Sequence, residues 1–250
     1  MRQKDISASE PTLKLWTTLE ISVVVPTYNE ERGIGRTLER LSRQTIPRSS
    51  YEIIVVDGGS KDRTREVASR YADKVILQRR KGVGGARNDG VEAARGRIVV
   101  HTDADVIVKE DWLERIISMF SEGVVAVCGP DEPIEQIAKY RLLYFAINLF
   151  SDITYRLGIV GTRGTNTAVL KDVFLRVGGY TDYPLCDDVE LGFRLKRMGR
   201  VVYSRKLMVR ASARRLAKRG IVDVLTNWLR GDLLLLTGKR TVGSYHRESY

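Results

Sequence analysis

Asp103-Ala104-Asp105 closes the apolar run Ile98-Val99-Val100 and sets two carboxylates one residue apart where a buried strand ends. Open α/β sheets hold ligands at the carboxyl ends of their strands. Two acids that close repel each other unless a cation lies between them. A hard divalent ion takes oxygen ligands from carboxylate and phosphate alike, so the pair reads as a holder of a metal-bound diphosphate. Two more segments belong on the same rim: Pro26-Thr27-Tyr28-Asn29-Glu30 after Ile21–Val25, and Asp57-Gly58-Gly59-Ser60 after Tyr51–Val56. Tyr28 offers an aromatic face to a nucleobase, and Asp57 can accept a base or ribose proton. Gly58 and Gly59 let backbone come close to a ligand. Gly82, Gly84 and Gly85 with Arg87 suit a diphosphate at a helix N-terminus. A second acidic cluster, Asp187-Asp188-Val189-Glu190, opens a helix. Asp187 or Asp188 can deprotonate an attacking hydroxyl as general base, although acids in a first helical turn also complement the dipole.

These residues need a scaffold that brings strand ends together. Short β-branched runs at 21–25, 51–56, 74–77 and 97–102 alternate with helical spacing over 30–45, 62–71 and 82–95. That alternation predicts an α/β fold, a mostly parallel central sheet with helices on both faces. A helix over 111–120 and a strand over 124–128 follow. Residues 137–157 are apolar but interrupted by Asn148, Asp152 and Arg156. Their four-residue spacing predicts an amphipathic helix whose apolar side packs on the domain, with cover of a greasy acceptor or contact with a bilayer as the alternatives. A last helix over 217–236 gathers Ile221, Leu225, Trp228 and Leu229 on one side.

Composition narrows the function. The chain has 250 residues, 43% hydrophobic and 29% charged, enough for one soluble globular domain. Its formal charge is +11, and residues 201–250 hold 11 Lys or Arg against 3 Asp or Glu. Such a block expects an anionic partner. Cys128 and Cys186 match neither a disulfide framework nor a zinc spacing, so a reducing compartment is expected. With only His101 and His246 present, a histidine metal cage or a Ser-His-Asp triad is poorly supplied. There is no signal-peptide core at the N-terminus and no apolar run of about 18 residues, the length a membrane span needs. Neither a dinucleotide Gly-x-Gly-x-x-Gly nor a Walker lysine motif follows the first strand.

Ile21-Ser22-Val23-Val24-Val25-Pro26-Thr27-Tyr28-Asn29-Glu30, Val55-Val56-Asp57-Gly58-Gly59-Ser60-Lys61-Asp62, Ala86-Arg87-Asn88, Asp103-Ala104-Asp105 and Asp187-Asp188-Val189-Glu190-Leu191 together resemble family 2 inverting glycosyltransferases of GT-A fold. The resemblance covers residues 20–215. It implies a hexosyltransferase-like enzyme that moves a sugar from a nucleotide-diphosphate sugar to a hydroxyl acceptor. Pro26, Thr27, Tyr28 and Glu30 would line the nucleoside pocket, with Asp57 on the base and Arg87 at the ribose or phosphates. Asp103 would contact the nucleotide and Asp105 would ligate Mg²⁺ or Mn²⁺, with Asp103 beside it. Asp188 would be the base, Asn166 would line the acceptor side, and Arg214 or Arg215 would close over the diphosphate. The family's Asp-Asp-Gly-Ser is here Asp57-Gly58-Gly59-Ser60, and its Glu-Asp is Asp187-Asp188.

The resemblance divides the chain into an arm (1–19), a donor-binding half (20–110), an acceptor half with the base (111–210) and a basic amphipathic C-terminal segment (211–250). The stripe through Trp228 and the charge around it suit an anionic membrane surface and a polyprenyl-phosphate or other lipid or glycan acceptor. A cytoplasmic enzyme, peripheral on the cytoplasmic face of a membrane, is therefore expected. A sugar nucleotidyltransferase would need a glycine-rich basic signature after the first strand, which Pro26–Glu30 does not provide. A nucleic-acid binder would use the basic block but would meet repulsion at the acidic rim, so no nucleic-acid partner is expected.

Overall fold

The structure, a computed structural model, describes residues 19–183 and 185–237. The expected arm thus lies outside the described residues except for Leu19, as do residues 238–250 of the C-terminal segment. The chain opens with β1 (Ile21–Thr27), α1 (Ile34–Ser42), β2 (Tyr51–Asp57), α2 (Thr64–Ala68), β3 (Lys74–Leu77), α3 (Gly82–Ala93) and β4 (Ile98–His101). It continues through β5 (Val106–Ile107), α4 (Trp112–Met119), β6 (Val124–Cys128), β7 (Asp131–Pro133), α5 (Ala138–Arg156), β8 (Thr167–Leu170) and α6 (Lys171–Arg176). The last elements are α7 (Asp187–Met198), β9 (Arg200–Tyr203), β10 (Val209–Ala211), α8 (Arg214–Arg219) and α9 (Ile221–Leu236).

Seven strands form one sheet in the order β3-β2-β1-β4-β8-β6-β9. All run parallel except β8, which is antiparallel to both β4 and β6. The expected α/β architecture is therefore present. Because strand side chains alternate between faces, β1 sends Ile21, Val23 and Val25 to a core shared with α1 and α4. Val24 points to the opposite core, shared with α3, α6 and α7. Both faces are covered, which is why these strands read as continuous apolar runs rather than alternating ones. Helix α3 lies so close to β1 that only glycine fits at Gly90: a Cβ there would stand 2.3 Å from Val24 Cγ1.

Two helical expectations need correction. The single helix over 217–236 is two, broken where Gly220 takes φ +84°; glycine reaches that region at no steric cost. Helix α5 exists where the spacing placed it, but its apolar residues divide between two faces. Tyr140, Leu143 and Tyr144 pack inward with α8 and α9, and Asn148 and Tyr155 donate to Asp131 O at 2.9 Å and Val201 O at 2.6 Å, while Leu142, Phe145, Phe150 and Ile153 face out. On α9, Val224 is buried while Leu229 is exposed, and the Trp228 side chain lies outside the described residues.

Candidate active site

The carboxyl ends of β1 and β4 border a cavity of about 220 Å³. Pro26, Thr27, Tyr28 and Glu30 line it from the first strand, and Asp103 and Asp105 from the fourth. Arg214 and Arg215 close it from the start of α8. Thr27 Oγ1 is buried without a hydrogen-bond partner among the described residues. The turn after β1 is held open by Asn29, at φ +50°, in a left-handed conformation that asparagine tolerates better than most side chains. Asn29 N donates to Ser60 Oγ at 2.8 Å and Asn29 Oδ1 accepts from Lys61 N at 2.8 Å, which ties the first rim loop to the second.

A small second sheet, β5-β10-β7, completes the cavity. Asp105 immediately precedes β5, Asp131 opens β7, and Ser212 to Arg214 follow β10. One three-stranded sheet thus collects three cavity-lining positions from distant parts of the sequence, Asp105, Asp131 and Ser212. Ser212 N donates to Asp105 O at 3.3 Å. Glu135 fixes the start of α8 by accepting from Ser212 Oγ at 2.8 Å and Ala213 N at 2.7 Å.

The charges inside are crowded. Arg214 holds Glu30 through two hydrogen bonds, Nη1 to Oε2 at 2.8 Å and Nη2 to Oε1, while its Nε stands 3.3 Å from Asp105 Oδ2. Burial pushes the Asp105 carboxyl up to about 7 against the pull of Arg214, with Asp103 and Glu30 adding like charge. Burial also raises Glu30, opposed by Arg214. Glu30 and Asp105 share Arg214 while Asp103 pairs with Arg87, and the like charges crowded at Asp105 form a donor set that fits a hard divalent cation. Among the described residues no three His, Cys, Asp or Glu side chains cluster tightly enough to hold a metal by themselves. Asp103 and Asp105 would therefore need oxygens from a bound ligand to complete a coordination sphere.

Five expected site residues lie away from this cavity. Asp57, expected on the base, is fully buried and held by its own turn: it accepts from Gly59 N at 3.1 Å, Ser60 N at 3.0 Å and Ser60 Oγ. Arg87, expected at the phosphates, lies beneath the rim, 4% exposed, with Nη2 on Asp103 Oδ1 at 2.8 Å. Burial opposes its charge, but Asp103, Asp187 and Asp188 outweigh that and hold the guanidinium ionised. Of the glycines before it, Gly84 and Gly85 are close-packed while Gly82 has φ +76° and open space at its Cβ position. A Cβ on Gly84 would stand 2.4 Å from Asp187 Oδ2.

Asp187 and Asp188 open α7 on the other side of Arg87 and do not line the cavity. Cys186, just before them, has φ +58°, a strained backbone that costs on the order of 1–2 kcal/mol outside glycine. Asp187 Oδ1 accepts from Asp188 N at 3.0 Å, and Asp188 Oδ2 accepts from Gly164 N at 2.9 Å. Burial, then the charge of Asp188, pushes the Asp187 carboxyl up to about 7, with Arg87 opposing. Asn88 staples α3 to the loop before α7: its Nδ2 donates to Tyr180 O at 2.8 Å and its Oδ1 accepts from Tyr180 N at 2.9 Å.

Asn166, expected on the acceptor side, is a fastener in the core, 1% exposed. It accepts from Trp112 Nε1 at 3.1 Å and donates to Pro130 O at 3.2 Å and Leu207 O at 2.6 Å. Asn166→Leu strands a buried indole N–H and carbonyls, so chemical denaturation is expected to show a loss of about 2–4 kcal/mol. Its neighbour Thr165 lines the cavity instead, as do Asp131 and Tyr144. Asp131 follows β6, which runs parallel to β4, so the rim reasoning applied to Asp103 would have found it. Tyr144 carried no signal, lying mid-helix in a face that looked like core.

Comparison with known proteins agrees with this arrangement. Residues 22–178 match the family described as glycosyl transferase family 2. The glycosyltransferase AglE of Haloferax volcanii is 36% identical over 115 residues, 44% of this chain and 38% of that protein. The human dolichyl-phosphate beta-glucosyltransferase is 31% identical over 171 residues, 59% of this chain and 53% of that protein. The chain thus spans about half or less of the length of these two relatives. A mannosyltransferase from Pyrobaculum calidifontis, PcManGT, solved with GDP-Man and Mn²⁺, superposes with a TM-score of 0.66 at 22% identity. That match covers 92% of this chain and 70% of the other, and shows the GT-A fold. Among the described residues no helix is long and apolar enough to cross a membrane.

Proposed function

Because the chain belongs to glycosyl transferase family 2 and is a glycosyltransferase, we propose that it moves a sugar from a nucleotide-diphosphate sugar to a hydroxyl acceptor with inversion and with divalent-metal dependence. The observation that carries this reading is the single cavity where Pro26–Glu30 meets Asp103 and Asp105 under Arg214. Tyr28 and Pro26 would bracket the nucleoside, and Thr27 Oγ1 would bond it. Asp103 and Asp105 would hold Mg²⁺ or Mn²⁺, which when bound neutralises the leaving diphosphate; the Mn²⁺ and GDP-Man with PcManGT support that choice. Arg214 and Arg215 would face the phosphates, and preorganised cations there stabilise developing charge without reorganising.

Asp188 would be the base that takes the acceptor proton, held in orientation by Gly164 N. The raised Asp187 favours a second assignment, with Asp187 as base, since a general base works best with a pKa near the operating pH. In this reading residues 20–110 bind donor, 111–210 carry the base and the acceptor side, and the basic segment from 211 closes the site. The acceptor would be a hydroxyl carried on a lipid or glycan at a membrane surface, a setting that the dolichyl-phosphate relative supports.

A panel of UDP, GDP and CDP with and without Mn²⁺ tests the donor site by thermal shift. One nucleotide is expected to raise Tm in a Mn²⁺-dependent way, since a ligand at 100 times its Kd adds about 2.7 kcal/mol. If none of them does so, the donor reading fails.

A further inference from the structure

Helix α5 leaves a broad apolar face uncovered. Inward, Asn148 and Tyr155 bond to backbone, and Ser151 Oγ accepts from Arg163 Nη2 at 2.8 Å. Outward, Leu142, Phe145, Leu149, Phe150, Ile153 and Leu157 are each 44–73% exposed. On a helix of 3.6 residues per turn these six occupy an arc of about 140°. Six large apolar side chains side by side make a patch of several hundred Å², and contiguous patches of that size on soluble proteins mark interaction sites.

Charge selects what covers the patch. Lys139, Arg141 and Arg156 are exposed on the same helix. Its one acid, Asp152, is paired with Arg205, so the rim of the patch is positive. A second copy would bring two positive rims together on chains of formal charge +11. Anionic lipid satisfies both features, since acyl chains take the apolar side chains and headgroups take the cations. The patch also continues. Tyr140 of α5 packs with Leu216 of α8 and Val224 of α9, and α9 adds the exposed Val222, Leu229 and Leu233. Tyr144, Leu216 and Val224 line the cavity, so the catalytic cavity lies against the helices that carry the patch.

We propose that the outward face of α5, extended by α9, docks on an anionic lipid bilayer and so presents the cavity to a lipid-borne acceptor. Only that last consequence rests on the proposed function; the docking stands without it. Of the two helices whose apolar sides the sequence offered to a bilayer, α5 carries most of the exposed apolar side chains among the described residues.

Flotation of the full chain with phosphatidylcholine vesicles, with and without phosphatidylglycerol, tests it. The protein is expected to float with the anionic vesicles at least tenfold more than with neutral ones. Leu142→Gln/Phe145→Gln/Phe150→Gln, and separately Arg141→Glu/Arg156→Glu, are each expected to cut that binding about tenfold or more, since surface cations and buried apolar groups both contribute to docking. All are exposed positions outside the cavity, so the nucleotide-dependent thermal shift should be unchanged, which separates failure of the docking from failure of the donor site. Wild-type protein that stays at the bottom with anionic vesicles, or α5 variants that float as wild type does, would overturn the proposal. So would a dimer in sedimentation velocity that the triple substitution dissociates, because the face would then belong to a second copy.

Discussion

Asp188→Asn is expected to lower kcat by about 10²–10⁴-fold, the usual contribution of a positioned general base, while nucleotide affinity stays close to wild type. Its carboxylate lies outside the donor cavity, and asparagine keeps an oxygen for Gly164 N. Asp187→Asn is the control. Its amide oxygen can still accept from Asp188 N, as the carboxylate does at 3.0 Å, so a loss of less than tenfold is expected. Steady-state kinetics on the two variants decide the assignment, and the opposite ranking makes Asp187 the base.

The same pair predicts a pH effect on stability. The folded-state value of Asp187 is raised from 3.8 to about 7, first by burial and then by Asp188. The folded protein therefore binds this proton more tightly than the unfolded chain does. The stability it contributes is complete below about pH 3.8 and is lost as pH rises through about 7. Urea unfolding at pH 5 and pH 8 should show wild type weakening across the interval relative to Asp187→Asn. Parallel behaviour of the two proteins would mean that Asp187 is not shifted.

Asp105→Asn is expected to abolish the Mn²⁺-dependent part of nucleotide binding and to lower kcat/KM by about 10³-fold, the scale of losing one preorganised electrostatic contact at the reacting group. Without ligand the fold should hold. Arg214 keeps its two bonds to Glu30, and the substitution removes a carboxyl whose charge burial already disfavours. Calorimetric titration of Mn²⁺ with nucleotide, beside a thermal melt of the ligand-free variant, separates the two effects. An Asp105→Asn enzyme that keeps its metal-dependent nucleotide binding would remove Asp105 from the site.

Local signals carried the scaffold well. β3 and β6 fall at 74–77 and 124–128 as their β-branched runs predict, and Pro26–Glu30 and Asp103–Asp105 meet because parallel strands bring their carboxyl ends to one rim. Asp57, Arg87 and Asn166 have chemistry suited to a ligand and are also bonded within the fold; hydrogen-bonding groups serve structure and ligand equally well, so residue type does not tell which neighbours they will have. The short strands β5, β7 and β10 were also invisible, since two or three residues carry no measurable period.

The sequence by itself determined the parallel half of the sheet and the acidic rim at its strand ends, because alternation and β-branching act locally and the βαβ crossover has one hand, whereas the antiparallel β8 and the strand order came only with the structure. It also determined the family. Tertiary structure decided which acids face the cavity, that Arg214 spans Glu30 and Asp105, and that α5 leaves an apolar face uncovered. Those outcomes depend on contacts between residues up to 184 positions apart. A helix's periodicity says which side chains share a face, but not which face the rest of the chain will cover.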